Sequence, residues 1–180
     1  MRKVIHKFFG IWDYDKEEKW LCEMAAKGLG LVAVGFCRYE FEDCEPGKYC
    51  YRLEFLKERP NHPESVKYIE FLESTGIRHV GSYGKWVYLC KETADGDFEL
   101  FSDRSSQLAH LNRIIRLELL IAGSNLFVGI FNLILCLLQN SYANSFGIIN
   151  LFLAIAVSIL SIPLFRTRNK IKKEQNLFES

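Results

Sequence analysis

Residues 119–138 read LLIAGSNLFVGIFNLILCLL, and residues 146–165 read FGIINLFLAIAVSILSIPLF. Each stretch is 20 residues long and has no charged side chain. A bilayer core is about 30 Å thick, and a helix needs about 20 apolar residues to cross it. Both stretches are therefore predicted to be transmembrane helices. The sequence indicates a membrane protein and excludes a fully soluble enzyme.

The rest of the 180-residue chain divides around these spans. Leu108, Leu111 and Ile114 recur at helical spacing, which predicts one continuous helix over residues 103–138. The predicted parts, in chain order, are a cytosolic α+β domain (1–101), a juxtamembrane helix (102–118), transmembrane helix 1 (119–138), an external loop (139–145), transmembrane helix 2 (146–165) and a basic cytosolic tail (166–180).

The basic residues of the C-terminal part flank the two spans. Residues 1–103 carry 15 Lys and Arg against 19 Asp and Glu, whereas residues 104–180 carry 8 against 3. Short segments rich in Lys and Arg stay on the cytoplasmic side of a membrane. Both termini are therefore predicted to be cytoplasmic in a multi-pass protein of the cell membrane. The tail is expected to contact anionic lipid rather than nucleic acid.

Six cysteines raise the question of disulfides or a metal centre. A zinc site of Cys37, Cys50, His62 and His79 would lack the close ligand pairs of known structural sites. Since a cytosolic domain keeps its thiols reduced, we interpret the cysteines as small apolar side chains. No metal and no cofactor are expected.

The acidic residues near the N-terminus have two competing interpretations. General acid–base chemistry needs a carboxylate in a dry pocket. Glu17, Glu18 and Glu23 lie on a predicted helix whose apolar stripe is elsewhere, which favours a solvated face. Asp15 and Glu18 also have the spacing of a capping box. Because neither GxSxG nor a phosphate-binding loop occurs, no catalytic residue is assigned and the protein is not expected to be an enzyme.

Apolar periodicity predicts the architecture of residues 1–101. Two helices are predicted at residues 15–28 and 63–76, each ended by a glycine. Five strands are predicted at residues 4–9, 31–41, 49–56, 77–80 and 85–90, with DCEPGK (43–48) as a hairpin turn between the second and the third. The order is β-α-β-β-α-β plus one strand. It predicts an α+β, ferredoxin-like domain followed by a two-helix transmembrane hairpin.

Aromatic residues make up 14% of the chain, and many alternate along the predicted strands. If both helices cover one sheet face, the other face is left open, and an exposed apolar face marks a partner site. The candidate partner surface comprises Tyr39, Tyr49, Tyr51, Trp86 and Tyr88. These residues could instead form the core. Their tyrosines would also suit base stacking, but the domain is acidic, so no nucleic-acid partner is expected.

Small and polar residues recur on one face of each predicted span. The predicted helix-contact seam comprises Ala122, Asn125, Gly129, Asn132, Asn150, Ala154 and Ser158. Small residues let transmembrane helices approach closely, and Asn side chains can bond across the contact. Two helices alone enclose no pore, so transport is expected only from an oligomer.

Four segments resemble a known family. They are WDYDKEEKWLCEMAAKGLGLV (12–32), YCYRLEFL (49–56), YIEFLESTGIRHVGSYGKWVYLCK (68–91) and FELFSDRSSQLAHLNRI (98–114). Together they resemble the bacterial family called domain of unknown function 2812. The resemblance implies a membrane protein of Gram-positive bacteria, found beside PadR-like transcriptional regulators, and it supplies no catalytic residues.

The sequence thus favours a non-enzymatic, membrane-anchored protein whose cytosolic module binds a small ligand or a protein. The module would serve regulation or signalling, and the resemblance adds a PadR-like regulator as a partner. Besides the bilayer, a protein partner or self-association is expected. An accessory subunit of a transporter is the alternative, and an enzyme on a membrane-associated substrate is a weaker one.

Overall fold

A computed structural model describes residues 2–101, 103–139 and 146–178. The chain divides into two compact units, Met1–His110 and Leu111–Ser180. The first unit ends nine residues beyond the predicted domain boundary at residue 101. Residues 140–145 of the predicted external loop lie outside the described residues.

The described part of the first unit contains six strands, two complete α-helices and the beginning of a third helix. In chain order the strands and the two complete helices are β1 (Lys3–His6), α1 (Tyr14–Ala26), β2 (Leu29–Gly35), β3 (Arg38–Asp43), β4 (Tyr49–Phe55), α2 (Pro63–Ser74), β5 (Arg78–Tyr83) and β6 (Trp86–Glu92). Pro63 suits the first turn of α2, where its missing N–H leaves no helical hydrogen bond unmade. Both helices lie close to where the apolar spacing predicts them.

The six strands form two three-stranded antiparallel sheets. Their orders are β1-β3-β2 and β4-β6-β5. The predicted hairpin across residues 43–48 is wrong, because β3 pairs with β1 and β2 whereas β4 pairs with β6. The α+β class is confirmed, and the ferredoxin-like order is not.

A tight turn splits the predicted strand at residues 31–41. Gly35 of β2 pairs directly with Arg38 of β3, so Phe36 and Cys37 form the turn. Cys37 has a φ of 52°, in the left-handed region that residues other than glycine rarely adopt. Because the apolar alternation continues on both sides of this turn, the sequence pattern reads as one strand.

The two halves of the first unit repeat the same β-α-β-β topology. Gly28 and Gly76 end the two helices with φ values of 80° and 87°. The following hairpins each contain a bulge, at Val32 and at Val80, and the same number of residues separates each bulge from its turn. Each position from the end of α1 to the β2–β3 turn corresponds to the position 48 residues later, between the end of α2 and the β5–β6 turn. The first unit therefore consists of two structural repeats.

Helix α1 packs against both sheets and joins them into one core. Leu21 of α1 is fully buried together with Leu31 and Phe41 of the first sheet and Tyr51 of the second. The Leu31 N–H donates to the Tyr51 hydroxyl oxygen at 2.8 Å. This buried bond ties the two sheets to each other.

Side chains cover the free edge of β4. This strand pairs with β6 on one side only, and an unpaired edge leaves alternate N–H groups exposed. Three of them donate to side chains: Tyr51 to Cys22 Sγ at 3.3 Å, Leu53 to Glu18 Oε1 at 2.8 Å and Phe55 to His110 Nε2 at 3.0 Å. The predicted capping box is wrong, because Glu18 accepts from β4.

Replacing Glu18 by Gln is expected to stabilise the first unit at pH 8 and to change little at pH 5. Burial raises the pKa of Glu18 to about 7 from an ordinary value of 4.5. When folding raises the pKa of an acid, the protein loses stability as pH rises from the unfolded-state pKa of that acid to its folded-state pKa. At about 1.4 kcal/mol per pKa unit, the charge costs at most about 3 kcal/mol above pH 7. Melting followed by tryptophan fluorescence measures the difference.

The matched control is Glu23→Gln, on the exposed face of the same helix. It should shift the melting temperature equally at both pH values. A Glu18→Gln variant that melts with wild type at pH 8 would contradict the assignment. Fluorescence reports on this unit alone, because Trp12, Trp20 and Trp86 all lie within it.

The described residues of the second unit are helical except for Phe146 and Ser161. The unit comprises α3 (Arg104–Gln139) from residue 111 onward, α4 (Gly147–Leu160) and α5 (Ile162–Phe178). The 36 residues of α3 agree with the single helix expected from the sequence. Pro163, which lacks an N–H and clashes with the preceding turn, explains why the predicted second span is divided at Ser161. The predicted basic tail is helical as far as residue 178.

Two of these helical stretches, Arg104–Leu138 and Gly147–Leu177, are long and apolar enough to cross a membrane. Only 6% and 17% of their most apolar windows are buried. The core helix of a soluble protein would be mostly buried. Side chains such as Phe127 and Leu138, which are 71% and 78% exposed, instead suit a hydrocarbon environment.

The backbones of α3 and α4 approach each other closely at two glycines. A Cβ placed on Gly129 would lie 2.8 Å from the Leu151 side chain and 3.0 Å from the Gly147 carbonyl oxygen. Gly129 and Ala154 of the predicted seam are buried, and Ala122 and Ser158 line an apolar groove. Small residues at this crossing allow the close approach.

Within the described residues, the polar side chains of the predicted seam donate inside their own helices rather than across the contact. Each donates to the carbonyl oxygen four residues earlier in its own helix. The four donors and their acceptors are Asn125 to Ile121, Asn132 to Val128, Asn150 to Phe146 and Ser158 to Ala154. Each of these bonds satisfies one donor of the side chain without a partner helix.

Candidate functional site

The first unit contains a cavity of about 330 Å³ at one end of its two sheets. Residues 7–12, which join β1 to α1, form one wall, and Tyr14 and Glu17 of α1 form a second. The tips of the β2–β3 and β5–β6 hairpins close the remaining side. A cavity of this size suits a small organic molecule.

The internal repeat explains why the two hairpin tips meet at this cavity. Phe36 in the first turn and Tyr83 beside the second turn have ring centroids 5.9 Å apart. Both hairpins have the same length from helix end to tip, so their tips reach the same level. Phe8, Phe36 and Tyr83 are 69%, 70% and 45% exposed and form an aromatic rim.

Deeper in the cavity, Glu17 is held by two phenols. The Tyr39 hydroxyl donates to Glu17 Oε1 at 2.6 Å, and the Tyr88 hydroxyl donates to the same oxygen at 2.7 Å. Tyr39 belongs to the first sheet and Tyr88 to the second, so the carboxylate lies where the two sheets meet. Glu17 is only 6% exposed. Its two bonds orient the carboxyl group toward the cavity lining.

Burial dominates the titration of this group. It raises the pKa of Glu17, against the two phenol hydrogen bonds, which lower it. Burial also raises the pKa of Tyr39 and Tyr88, and it raises that of Tyr14 to about 12. The three phenols therefore remain neutral donors over the physiological range, whereas Glu17 takes up its proton at a higher pH than an exposed carboxyl group.

Aromatic rings at the cavity already hold one cation. The Lys7 ammonium lies 4.7 Å from the Phe9 ring centroid and 4.5 Å from that of Trp20. Ring faces attract cations electrostatically. Tyr14 and Trp86, stacked at 5.8 Å between centroids, offer further ring surface in the cavity wall. The site thus combines ring faces with one buried acid.

The predicted open aromatic surface is not what the structure shows. Tyr39, Tyr51 and Tyr88 are 3%, 0% and 5% exposed. The structure brings Tyr39, Trp86 and Tyr88 together in the cavity lining. Tyr51 lies in the core instead, and Tyr49 is half-buried beside it, with ring centroids 6.5 Å apart.

The expected solvated acidic face is also wrong in part. Glu17 lines the cavity and Glu18 binds the edge of β4, whereas Glu23 is exposed. The sequence signal that could have found Glu17 is its spacing from Leu21 and Met24, which places it on the buried face of the helix. Ser65 occupies the corresponding buried position of α2, 48 residues later.

A comparison with known families agrees with the resemblance. Residues 13–122 match the family described as Protein of unknown function (DUF2812). The chain belongs to this family. The region that matches DUF2812 contains both hairpins and Glu17, and it continues into α3. No curated protein and no solved structure matches the chain.

The described residues were also compared with the requirements of a metal centre. Within them, no group of three or more His, Cys, Asp or Glu side chains could hold a metal ion. The absence of bound zinc stays a prediction. Cys22, Glu18 and His110 accept hydrogen bonds from the edge of β4. Glu17 lines the cavity.

Proposed function

We propose that this DUF2812 protein is a membrane-anchored binding protein whose first unit takes up a small organic cation in the Glu17 cavity. The observation that carries the proposal is a buried carboxyl group surrounded by aromatic rings in a cavity of about 330 Å³. Ligand pockets are mostly apolar with a few convergent polar groups. Binding, rather than catalysis, suits a carboxyl group that two phenols already hold in place.

The positive charge of the ligand follows from the chemistry of the lining. Ring faces and a carboxylate both attract cations, and ring-lined sites recognise quaternary ammonium groups. An anion would face Glu17, and among the described lining residues its one cationic partner would be Lys7. A neutral apolar molecule would leave the carboxylate desolvated with no compensating charge.

A titration of the full chain in detergent tests the class of ligand. The probe is benzyltrimethylammonium, which pairs a quaternary ammonium with one ring. Benzyldimethylcarbinol, of similar shape and neutral, and phenylacetate, an anion, are the matched controls. The cation should bind on the order of tenfold more tightly, which corresponds to about 1.4 kcal/mol. Equal affinity for the cation and the carbinol would refute the cationic ligand, and quenching of tryptophan fluorescence measures each affinity.

We further propose that both termini face the cytoplasm and that the two spans anchor the module to the membrane. The supporting observations are the two exposed apolar helical stretches and the basic residues that precede residue 119 and follow residue 165. Tyr142 and Ser180, the positions suited to a test, lie outside the described residues.

An enzyme reporter that works only outside the cytoplasm is expected to be active when inserted at Tyr142 and inactive when fused after Ser180. The physical reason is that loops rich in Lys and Arg are retained inside, whereas the loop at residues 139–145 has none. Reporter activity on whole cells is the measurement. A fusion active only after Ser180 would reverse the orientation.

The role of the module is proposed to be regulatory. Cation binding would change the rim formed by Phe8, Phe36 and Tyr83, the exposed aromatic surface next to the cavity. The family resemblance suggests a PadR-like regulator as the protein that reads this change. Mild crosslinking with and without benzyltrimethylammonium, followed by purification in detergent and mass spectrometry, tests it. Recovery that is the same in both conditions would argue against ligand-dependent recruitment.

A further inference from the structure

Two cysteines meet where α1 covers the edge of β4, away from the cavity. Cys22 Sγ lies 3.6 Å from Cys50 Sγ, although 28 positions separate the residues in sequence. Both side chains are partly exposed. A disulfide has an S–S length of about 2.05 Å, so the two sulfurs need to approach by roughly 1.5 Å.

The surroundings make the two thiols unequal. Arg52 Nη1 lies 3.4 Å from Cys50 Sγ, and Glu18 lies 4.0 Å from the same guanidinium. The hydrogen bond with Cys22 and the charge of Arg52 lower the pKa of Cys50, and the pKa of Cys22 is raised in return. An electropositive, partly exposed thiolate is the type of cysteine that reacts with oxidants.

We propose that Cys22 and Cys50 are a peroxide-reactive dithiol site, in which Cys50 is oxidised first and Cys22 resolves it into a disulfide between α1 and β4. The oxidant is a hydroperoxide, such as hydrogen peroxide. Reactive cysteines poised beside a second, resolving cysteine are typical of redox-sensing sites.

The two steps balance with one equivalent of peroxide. The Cys50 thiolate attacks one peroxide oxygen, the O–O bond breaks, and the leaving hydroxide takes a proton to become water. Cys50 is then a sulfenic acid. The Cys22 thiol gives up its proton and its sulfur attacks that of Cys50, so that the S–O bond breaks and a second water leaves. Two thiols have lost two electrons, and the peroxide has been reduced to two waters.

Oxidation of the reduced full chain in detergent tests the site. Hydrogen peroxide is expected to yield a peptide pair linked through Cys22 and Cys50 in a non-reducing digest. In Cys22→Ser, Cys50 should accumulate as a sulfenic acid that dimedone labels, and in Cys50→Ser neither product should form. At neutral pH, Cys50 should be alkylated on the order of tenfold faster than Cys44, a partly exposed cysteine whose pKa burial raises.

Cys44→Ser is the control and should leave the linked peptide unchanged. Tryptophan fluorescence shows whether each variant is folded, and the wild-type digest needs no variant at all. Disulfides confined to other cysteines, or alkylation of Cys50 no faster than that of Cys44, would overturn the proposal.

Discussion

Gly129→Leu is expected to lower the free energy of unfolding of the helical unit by about 1–3 kcal/mol or more, since 1–3 kcal/mol is the usual cost of overpacking. A Cβ at this position would already lie 2.8 Å from the Leu151 side chain and 3.0 Å from the Gly147 carbonyl oxygen. The second contact is with backbone, so rotation of a side chain cannot relieve it. α3 and α4 would have to separate. Loss of the helical circular dichroism signal on heating in detergent measures the effect.

Two control variants on the same helix separate this contact from general effects of leucine. Gly123→Leu makes the identical change at a glycine whose Cβ would have no described atom within 4 Å. Phe127→Leu changes a side chain that is 71% exposed. Neither should alter melting. If Gly123→Leu destabilised as much as Gly129→Leu, close approach at Gly129 would not be the cause.

Asn132→Leu is expected to cost less than a cross-helix hydrogen bond would suggest. Its amide donates to Val128 in the same helix, so no bond between helices is lost. The seam was deduced from the 3 and 4 spacing of small and polar residues, a pattern that reports which residues share a face. It does not report where each polar group finds its acceptor, since the carbonyl oxygen four residues back in the same helix can accept a second hydrogen bond.

The elements of the first unit were largely predictable, and their pairing was not. The helices at residues 15–28 and 63–76 and the strand at residues 49–56 follow from local periodicity, which the fold preserves. Strand partners depend on turns. The β2–β3 turn has Phe36 and Cys37, and no glycine, at its two central positions, so the sequence did not reveal it. Missing this turn hid both the sixth strand and the internal repeat.

The candidate site shows the same limit at the level of one residue. Glu17 was interpreted as solvated, together with Glu18 and Glu23, because the apolar stripe of the predicted helix was placed elsewhere. Its spacing from Leu21 and Met24 marks it as buried, but its hydrogen-bond partners are two tyrosines contributed by separate sheets. Tyr39 lies 22 positions and Tyr88 lies 71 positions from Glu17 in the sequence. No local pattern could therefore place the two phenols around the carboxyl group.

Glu17→Gln is expected to weaken benzyltrimethylammonium binding at pH 8 by on the order of tenfold to a hundredfold, about 1.4 to 2.8 kcal/mol. Gln keeps an oxygen that can accept from Tyr39 and Tyr88, so the cavity retains its shape while the charge is removed. The neutral carbinol should bind wild type and variant alike. Tryptophan fluorescence titration of both ligands against both proteins gives the four affinities.

The same pair of proteins should differ in pH dependence. Because burial raises the pKa of Glu17, the carboxyl group is protonated at a higher pH than an exposed one, and a cation binds only the ionised form. Wild-type affinity for the ammonium should therefore fall as pH decreases through the raised pKa of Glu17, where binding is coupled to release of a proton. Affinity in Glu17→Gln should stay level, whereas Glu23→Gln, on the exposed face of α1, should follow wild type. A pH profile shared by wild type and Glu17→Gln would show that Glu17 does not hold the cation.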